Sequence, residues 1–346
     1  MLDDSFFFYL WLLAGAFALS ASAVTLQFIY MHLRHYYEPN FQKFIIRLLW
    51  MVPIYSLDSF LSMRFHEWAL YLDMLRDCYE AYVLYSFFSL LVAYLGGVEE
   101  LEELLELIPP QAHPFPLCNL PKYKPGSKFL LWCRRCILQF VLIKPVLAII
   151  SILLEWAHLY ADGSLSPARG YLWIAIVNNV SITVSLYFLV LFYIVTEDHL
   201  QPYKPLPKFL CIKAIIFFSF WQGIAIVTLV RLNFIVDQGT LSAQHVAMFS
   251  QNFLICIEMF VMAWVFRSVF PFPQYKPGTA AGMLPGSPSR GDREENGSSE
   301  RRAVSSPNSK PSQLFKNFQD VANVTDVLDD ARAVLMPSAE RHSKDH

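Results

Sequence analysis

YKPLPKFLCIKAIIFFSFWQGIAIVTLV, residues Tyr203–Val230, sets a basic, proline-containing collar directly before a long apolar run. The collar recurs: YKPLPKFL at Tyr203–Leu210 repeats YKPGSKFL at Tyr123–Leu130, and Tyr275-Lys276-Pro277 follows the last apolar run as a partial copy. Such self-similarity is the first thing to examine in a chain. Proline keeps a helix from running on through a loop. Lysine marks the cytoplasmic edge of a membrane span, and tyrosine suits the headgroup level. The collars thus read as membrane-edge markers; the blander reading is punctuation between helices with no functional content.

Composition agrees with a membrane setting. Of 346 residues, 55% are hydrophobic and only 16% charged, against about 25% charged in soluble domains. The formal net charge of -2 gives no reason to expect a nucleic-acid partner. The first apolar run, Ser5–Met31, carries Asp3 and Asp4 where a signal peptide has basic residues, and it exceeds an h-region of about 7–15 residues, so it is expected to span.

A span needs about 20 apolar residues. Seven stretches qualify, at 5–31, 44–63, 76–95, 137–159, 171–195, 211–236 and 246–270. The expectation is an all-α membrane protein, a seven-helix bundle occupying residues 1–275. Arg34, Lys43 and Arg47, then Lys122, Lys124, Lys128, Arg134 and Arg135, then Lys204, Lys208 and Lys213 fall in alternate loops. The intervening loops have only Arg64, Arg76 and Arg169. Basic loops face the cytosol, which puts the N-terminus outside or in the lumen, the C-terminus in the cytosol and both collars on the cytosolic face. Each full collar precedes a helix pair of the same direction, so any duplication would be parallel.

Between the third and fourth spans, VEELEELLELI (Val98–Ile108) has apolar residues at helical spacing and an acidic opposite face, ended by Pro109-Pro110. A surface helix packed on the protein's own basic face is expected. Residues 276–311 turn to Gly, Pro, Ser and charge, the composition of a disordered linker. Residues 312–336 regain a helical period through Leu314, Val321, Leu328 and Leu335, an amphipathic tail helix for a cytosolic partner or for the protein's own face. Residues 337–346 read as disordered.

Ionisable groups inside spans are costly and are functional candidates by default. On the expected topology, Asp58, Arg76, Asp77, Glu80 and Glu155 lie toward the outer side, with Asn178 and Asn179 on the fifth span and Gln222 and Glu258 near mid-membrane. Lys144 and Lys213 lie toward the cytosolic exit. Together these would line a polar cavity for an amphipathic or anionic-headed solute. The structural alternative is that Arg76 pairs with Asp58 or Asp77 and that Asn and Ser hold helices together. Cys118, Cys133 and Cys136 lie by basic residues at the membrane edge, where acylation is one reading and inert thiols another. His66, His158 and His245 share no metal-site motif. The seventh span carries no lysine for a Schiff base, and Walker A, Gly-x-Ser-x-Gly and His-Glu-x-x-His are absent. Neither catalytic chemistry nor a cofactor is expected.

MVPIYSLDSFLSMRF (Met51–Phe65), LRDCYEAYVLYSFFSLLVAYLGG (Leu75–Gly97), HPFPLC (His113–Cys118), CILQFVLIKP (Cys136–Pro145), YKPLPKFLCIKAIIFFSFWQG (Tyr203–Gly223) and ICIEM (Ile255–Met259) resemble the organic solute transporter alpha family. The tail segment FKNFQDVANVTDVLDDA is similar to the transmembrane protein 184 and LAZARUS-type branch. The resemblance implies seven helices, an outside N-terminus and transport of steroid-like or other amphipathic solutes, facilitated or ion-coupled. It implies as partners membrane lipids, the solute, and a second copy or a small single-span beta-type subunit. The expected location is the plasma membrane or an endomembrane such as vacuole or endosome. The runner-up reading is a seven-helix scaffold or receptor acting in signalling or trafficking through its tail.

Overall fold

Runs this apolar satisfy their backbone groups within themselves in a bilayer, and only helices do that segment by segment. The computed structural model describes residues 4–114, 119, 121–160, 166–232, 234, 243–275, 311–323 and 325–335. Its regular structure is helical: α1 (Asp4–Arg34), α2 (Pro39–Leu49), α3 (Met51–Arg64), α4 (Ala69–Tyr94), α5 (Val98–Leu107), α6 (Ser127–Trp156), α7 (Gly170–Leu200), α8 (Pro205–Arg231), α9 (Ala243–Val269), α10 (Pro311–Ala322) and α11 (Thr325–Leu335). Six helical stretches are long and apolar enough to cross a membrane: Ser5–Arg34, Pro39–Arg64, Ser127–Trp156, Gly170–Tyr203, Pro205–Val230 and His245–Val269. A seventh qualifies only when α4 and α5 are counted together, and these are bent by 72°. Among the described residues the protein is therefore all-α, with six, or up to seven, such helices.

The second stretch is two helices broken at Trp50. Pro53 explains the break, because it has no N–H to give to the carbonyl of Leu49. Gly96 and Gly97, at φ 91° and 97°, make the turn between α4 and α5 in a region that residues with a Cβ rarely enter. The tail stretch is likewise two helices rather than one. Between them the Asn323 side chain accepts a hydrogen bond from the Thr325 N–H at 3.1 Å, an Asx-type stop. The expected linker, 276–311, lies outside the described residues except for Pro311, as does 337–346.

The helices fall into two units. The first comprises Met1–His35, Ile45–Glu80 and Lys204–Gln274. Within it α1 packs on α3 and α9, and α8 packs on α9. Ala14, Ala18 and Ala21 are fully buried on one face of α1, and a Cβ on Gly15 would meet the Phe60 ring at 2.8 Å. Leu12, Leu13, Leu19 and Leu26 point away, exposed. Small residues inward and large apolar residues outward is the pattern of helices packing in lipid, where close backbone approach replaces the hydrophobic drive.

The second unit comprises Tyr36–Phe44, Ala81–Tyr203 and Tyr275–His346. In it α6 packs on α7, and both α5 and α11 pack on α6. The inner positions Leu101 and Leu105 of α5 are buried, the face that its spacing picks out. The collar tyrosines anchor aromatic clusters: Tyr203 stacks on Tyr94 with centroids 4.1 Å apart, and Phe41 joins them at 5.2 Å from Tyr94. Tyr123 stacks on Phe129 at 5.3 Å and meets the His113 ring at 4.7 Å. Burial pushes the Tyr123 phenol up to about 12, so it stays protonated at neutral pH.

Candidate functional site

In the first unit the acidic and basic residues flagged in the sequence converge. Asp58 sits on α3, almost fully buried, because α3 lies against both α1 and α9. Arg76 reaches it from α4, with Nη1 donating to Asp58 Oδ2 at 2.8 Å. The same guanidinium pairs with Asp73 at 2.7 Å, one turn earlier on α4, and lies 3.9 Å from Asp77. Its plane stands over the Tyr55 ring, 5.5 Å from the centroid, and the Tyr55 hydroxyl donates to Glu80 at 3.4 Å. Three carboxylates therefore surround one guanidinium, and a fourth, Glu80, is joined to the cluster through Tyr55. Asp58 Oδ1, Ser59 Oγ and Ser62 Oγ, all buried on α3, have no hydrogen-bond partner among the described residues. Buried polar atoms left in this state are costly and call for a functional or structural reason.

A second polar pair crosses from α8 to α9: the Gln222 amide donates to Glu258. The remaining oxygen of each, Gln222 Oε1 and Glu258 Oε2, is buried with no partner among the described residues. Gln251 lies against Gly223, where a Cβ would come within 3.4 Å of its amide. Lys213, on α8, is half-buried.

Glu155, Asn178, Asn179 and Lys144 belong to the second unit. Glu155 and Lys144 are half-buried on α6. Asn179 is exposed and its amide returns to the Ala175 carbonyl of its own helix at 2.7 Å. Asn178 Oδ1 is buried with no partner among the described residues. The polar residues that join α6 to α7 are others: Gln139 donates to the Ser181 carbonyl at 2.9 Å, and the Ser185 hydroxyl donates to the Cys136 carbonyl at 2.7 Å. For Ser181 and Ser185 the helix-joining role is the one that the hydrogen bonds fill.

Cys133 is fully buried, whereas Cys136 keeps some surface; Cys118 lies outside the described residues. A thiol without surface is not presented to an acylating enzyme, so among these two only Cys136 has the exposure that acylation needs. Among the described residues no three His, Cys, Asp or Glu side chains are placed to hold a metal ion.

Sequence reading missed Asp73 and Tyr55. The Asp73–Arg76 spacing of three is a helical ion-pair signal, but it becomes visible only once α4 is seen to begin at Ala69 rather than near Arg76. The sequence points to a tail that meets a partner or the protein's own face, and the structure packs α11 on α6, but the side chains that make the contact were not foreseen. In the second unit the Asp330 carboxylate accepts from the Tyr85 hydroxyl at 2.5 Å and from the Arg134 guanidinium, and Asp320 accepts from Tyr36 at 2.7 Å. Val321, Val327 and Ala331 are buried beneath the tail helices.

Comparison with known proteins gives a consistent result. The sequence profile described as organic solute transporter Ostalpha matches residues 10–277. A transmembrane protein 184 homologue of Dictyostelium discoideum is 40% identical over 276 residues, covering 79% of this chain and 54% of that protein. The chain thus spans about half the length of this curated relative. No solved structure matches.

Proposed function

This chain belongs to the organic solute transporter Ostalpha family, transporters rather than enzymes, and from that premise we propose that it carries amphipathic organic solutes, steroid-like or lipid-like, across a membrane. It is an integral membrane protein in contact with lipid. The observation that carries the reading is the Asp58–Arg76 pair with Asp73, Asp77 and Glu80: Asp58 lies buried in a stretch long and apolar enough to span, and the others extend the charge along α4. Charge in that setting is retained for a path or a relay more readily than for stability, since replacing a buried pair by apolar residues costs little.

On this reading Asp58, Arg76, Asp77, Glu80, Gln222 and Glu258 of the first unit meet the polar part of the solute. Glu155, Asn178 and Asn179 of the second do the same, and Lys144 and Lys213 receive an anionic head group. Movement is facilitated or ion-coupled. Seven crossings correspond to the seven apolar runs, and the distribution of Lys and Arg supports an N-terminus outside or lumenal and a cytosolic C-terminus. A second copy or a small single-span subunit completes the assembly in the plasma membrane or an endomembrane.

Uptake of a sulfated steroid into liposomes holding the purified protein tests this. Glu258→Leu combined with Asn178→Leu abolishes uptake while the protein still elutes as a folded species. Unchanged uptake rejects the polar path.

A second reading has its own observation. With the tail helices docked, Phe315, Phe318 and Leu328 remain exposed, an apolar face suited to a cytosolic partner of a scaffold. Removing residues 312–346 separates the two: a transporter still moves solute, and a scaffold loses its activity.

A further inference from the structure

The second unit contains a cavity of about 250 Å³ that the transport reading does not use. Its polar wall is Asn40 and Lys43 from α2, Tyr85 and Ser89 from α4 and Arg134 from α6, with Asp326 and Asp330 contributed by α11. Asp330 is held as a bound anion would be held. One of its oxygens accepts from the Tyr85 hydroxyl and the other from the Arg134 guanidinium. A fixed guanidinium fork with a neutral hydroxyl beside it suits any carboxylate or phosphate oxygen. Lys43 adds a cation to the same wall. Among the described residues its ammonium faces the Phe44 ring, 4.9 Å from the centroid, and no carboxylate lies within ion-pair distance. With α11 in place the wall holds two cations and two carboxylates; without it only Lys43 and Arg134 remain charged.

We propose that this cavity binds a terminal phosphate group, that of a phosphomonoester lipid headgroup or of free phosphate, and that Asp330 of the tail is its resident substitute, so that phosphate binding and tail docking exclude each other. A phosphomonoester brings close to two negative charges and three acceptor oxygens. It therefore engages Lys43 as well as Arg134 and Tyr85, where Asp330 engages only the last two. The displaced segment is small enough to leave. Beyond Asp330, its attachments include the bond from Tyr36 to Asp320 and the burial of Val321, Val327 and Ala331. Arg134 and Asp330 both keep solvent contact, at 16% and 33% exposure, and partly exposed ion pairs exchange partners at small net cost.

The test uses the full chain in phosphatidylcholine nanodiscs, with hydrogen–deuterium exchange of residues 311–335 as readout. One arm adds inorganic phosphate, and the other dopes the nanodisc with phosphatidic acid. Tail exchange rises several-fold as the effective probe saturates. A rise with phosphate assigns the free ion, and a rise with phosphatidic acid alone assigns the headgroup; either supports the site. Asp330→Asn releases the tail without any probe and tightens probe binding by about tenfold, because no docked carboxylate has to be displaced. Lys43→Gln weakens probe binding by about tenfold yet leaves the tail protected. The proposal is overturned if neither probe alters tail exchange, or if Asp330→Asn binds the probe no more tightly than the unmodified chain.

Discussion

The collars Tyr123–Leu130 and Tyr203–Leu210 share an octapeptide but turn different faces inward. After the first, the buried line on α6 runs through Leu130, Cys133, Ile137 and Phe140. After the second, the buried line on α8 runs through Lys208, Ile212 and Ile215. Aligned on the octapeptide, these lines lie two positions apart, which at 3.6 residues per turn is a rotation of about 200°. Lys128 is accordingly exposed, whereas Lys208 is 4% exposed with its ammonium 6.0 Å from the centre of the Phe270 ring. Leu130 is 1% exposed and Leu210 is 55% exposed. What the copies keep in common is the tyrosine, set in an aromatic cluster in both. A short identical motif therefore fixes where a helix begins and which ring anchors it. The surface that each helix meets decides the rest, and the parallel duplication suggested by the collars does not extend to packing.

Four changes break or sharpen this contrast. Lys208→Glu has the largest expected effect, since it sets a carboxylate against the face of Phe270. A loss on the order of 3–5 kcal/mol, seen as failure to elute as a monodisperse species, is expected, while Lys128→Glu stays within about 0.5 kcal/mol. Equal behaviour of the two lysines would refute the difference in face. Leu130→Ala is next, at about 2–4 kcal/mol by thermal unfolding in detergent; Leu210→Ala leaves the midpoint nearly unmoved. Tyr123→Leu and Tyr203→Leu should instead match each other, each losing about 1 kcal/mol of ring stacking, and a clear inequality would end the claim of a shared anchor. The smallest effect has the opposite sign. Lys204 is held at φ 47°, where glycine is unstrained, so Lys204→Gly raises the unfolding midpoint by the equivalent of about 0.5–1 kcal/mol.

Hydropathy alone made most of the helices legible, because a run such as Ile137–Ile152 has no other stable form in lipid. The start of α4 was not legible: Asp73, Arg76, Asp77 and Glu80 interrupt the apolar signal, yet they lie inside the helix because Asp58 on α3 compensates Arg76. That compensation is a tertiary fact, and it is also why Asp73 escaped notice. The polar stripe Asn178–Ser181–Ser185 was legible as a stripe, but not its use. Ser181 and Ser185 are engaged by Gln139 across the helix pair, 42 and 46 positions away. The tail's amphipathic spacing was legible, but not its docking partners, since Asp330 meets Arg134 and Tyr85 across 196 and 245 positions. Amphipathic spacing announces that a helix will be covered on one side, not by what.

The Gly96–Gly97 turn bears on something larger than the angle it makes. α4 has 26 residues, about 39 Å at 1.5 Å per residue, enough to cross a hydrocarbon layer of about 30 Å. A chain that crosses an odd number of times leaves its two ends in different compartments, and an even number returns them to the same one. Among the described residues the count is six without α4 and seven with it, and α4 stops where two glycines let the backbone swing by 72°. Without that swing, Glu99, Glu100, Glu102, Glu103 and Glu106 would continue along the axis of α4. With it they turn aside as soon as the apolar run ends, so the acidic face of α5 is kept off the axis of α4 by two residues without side chains.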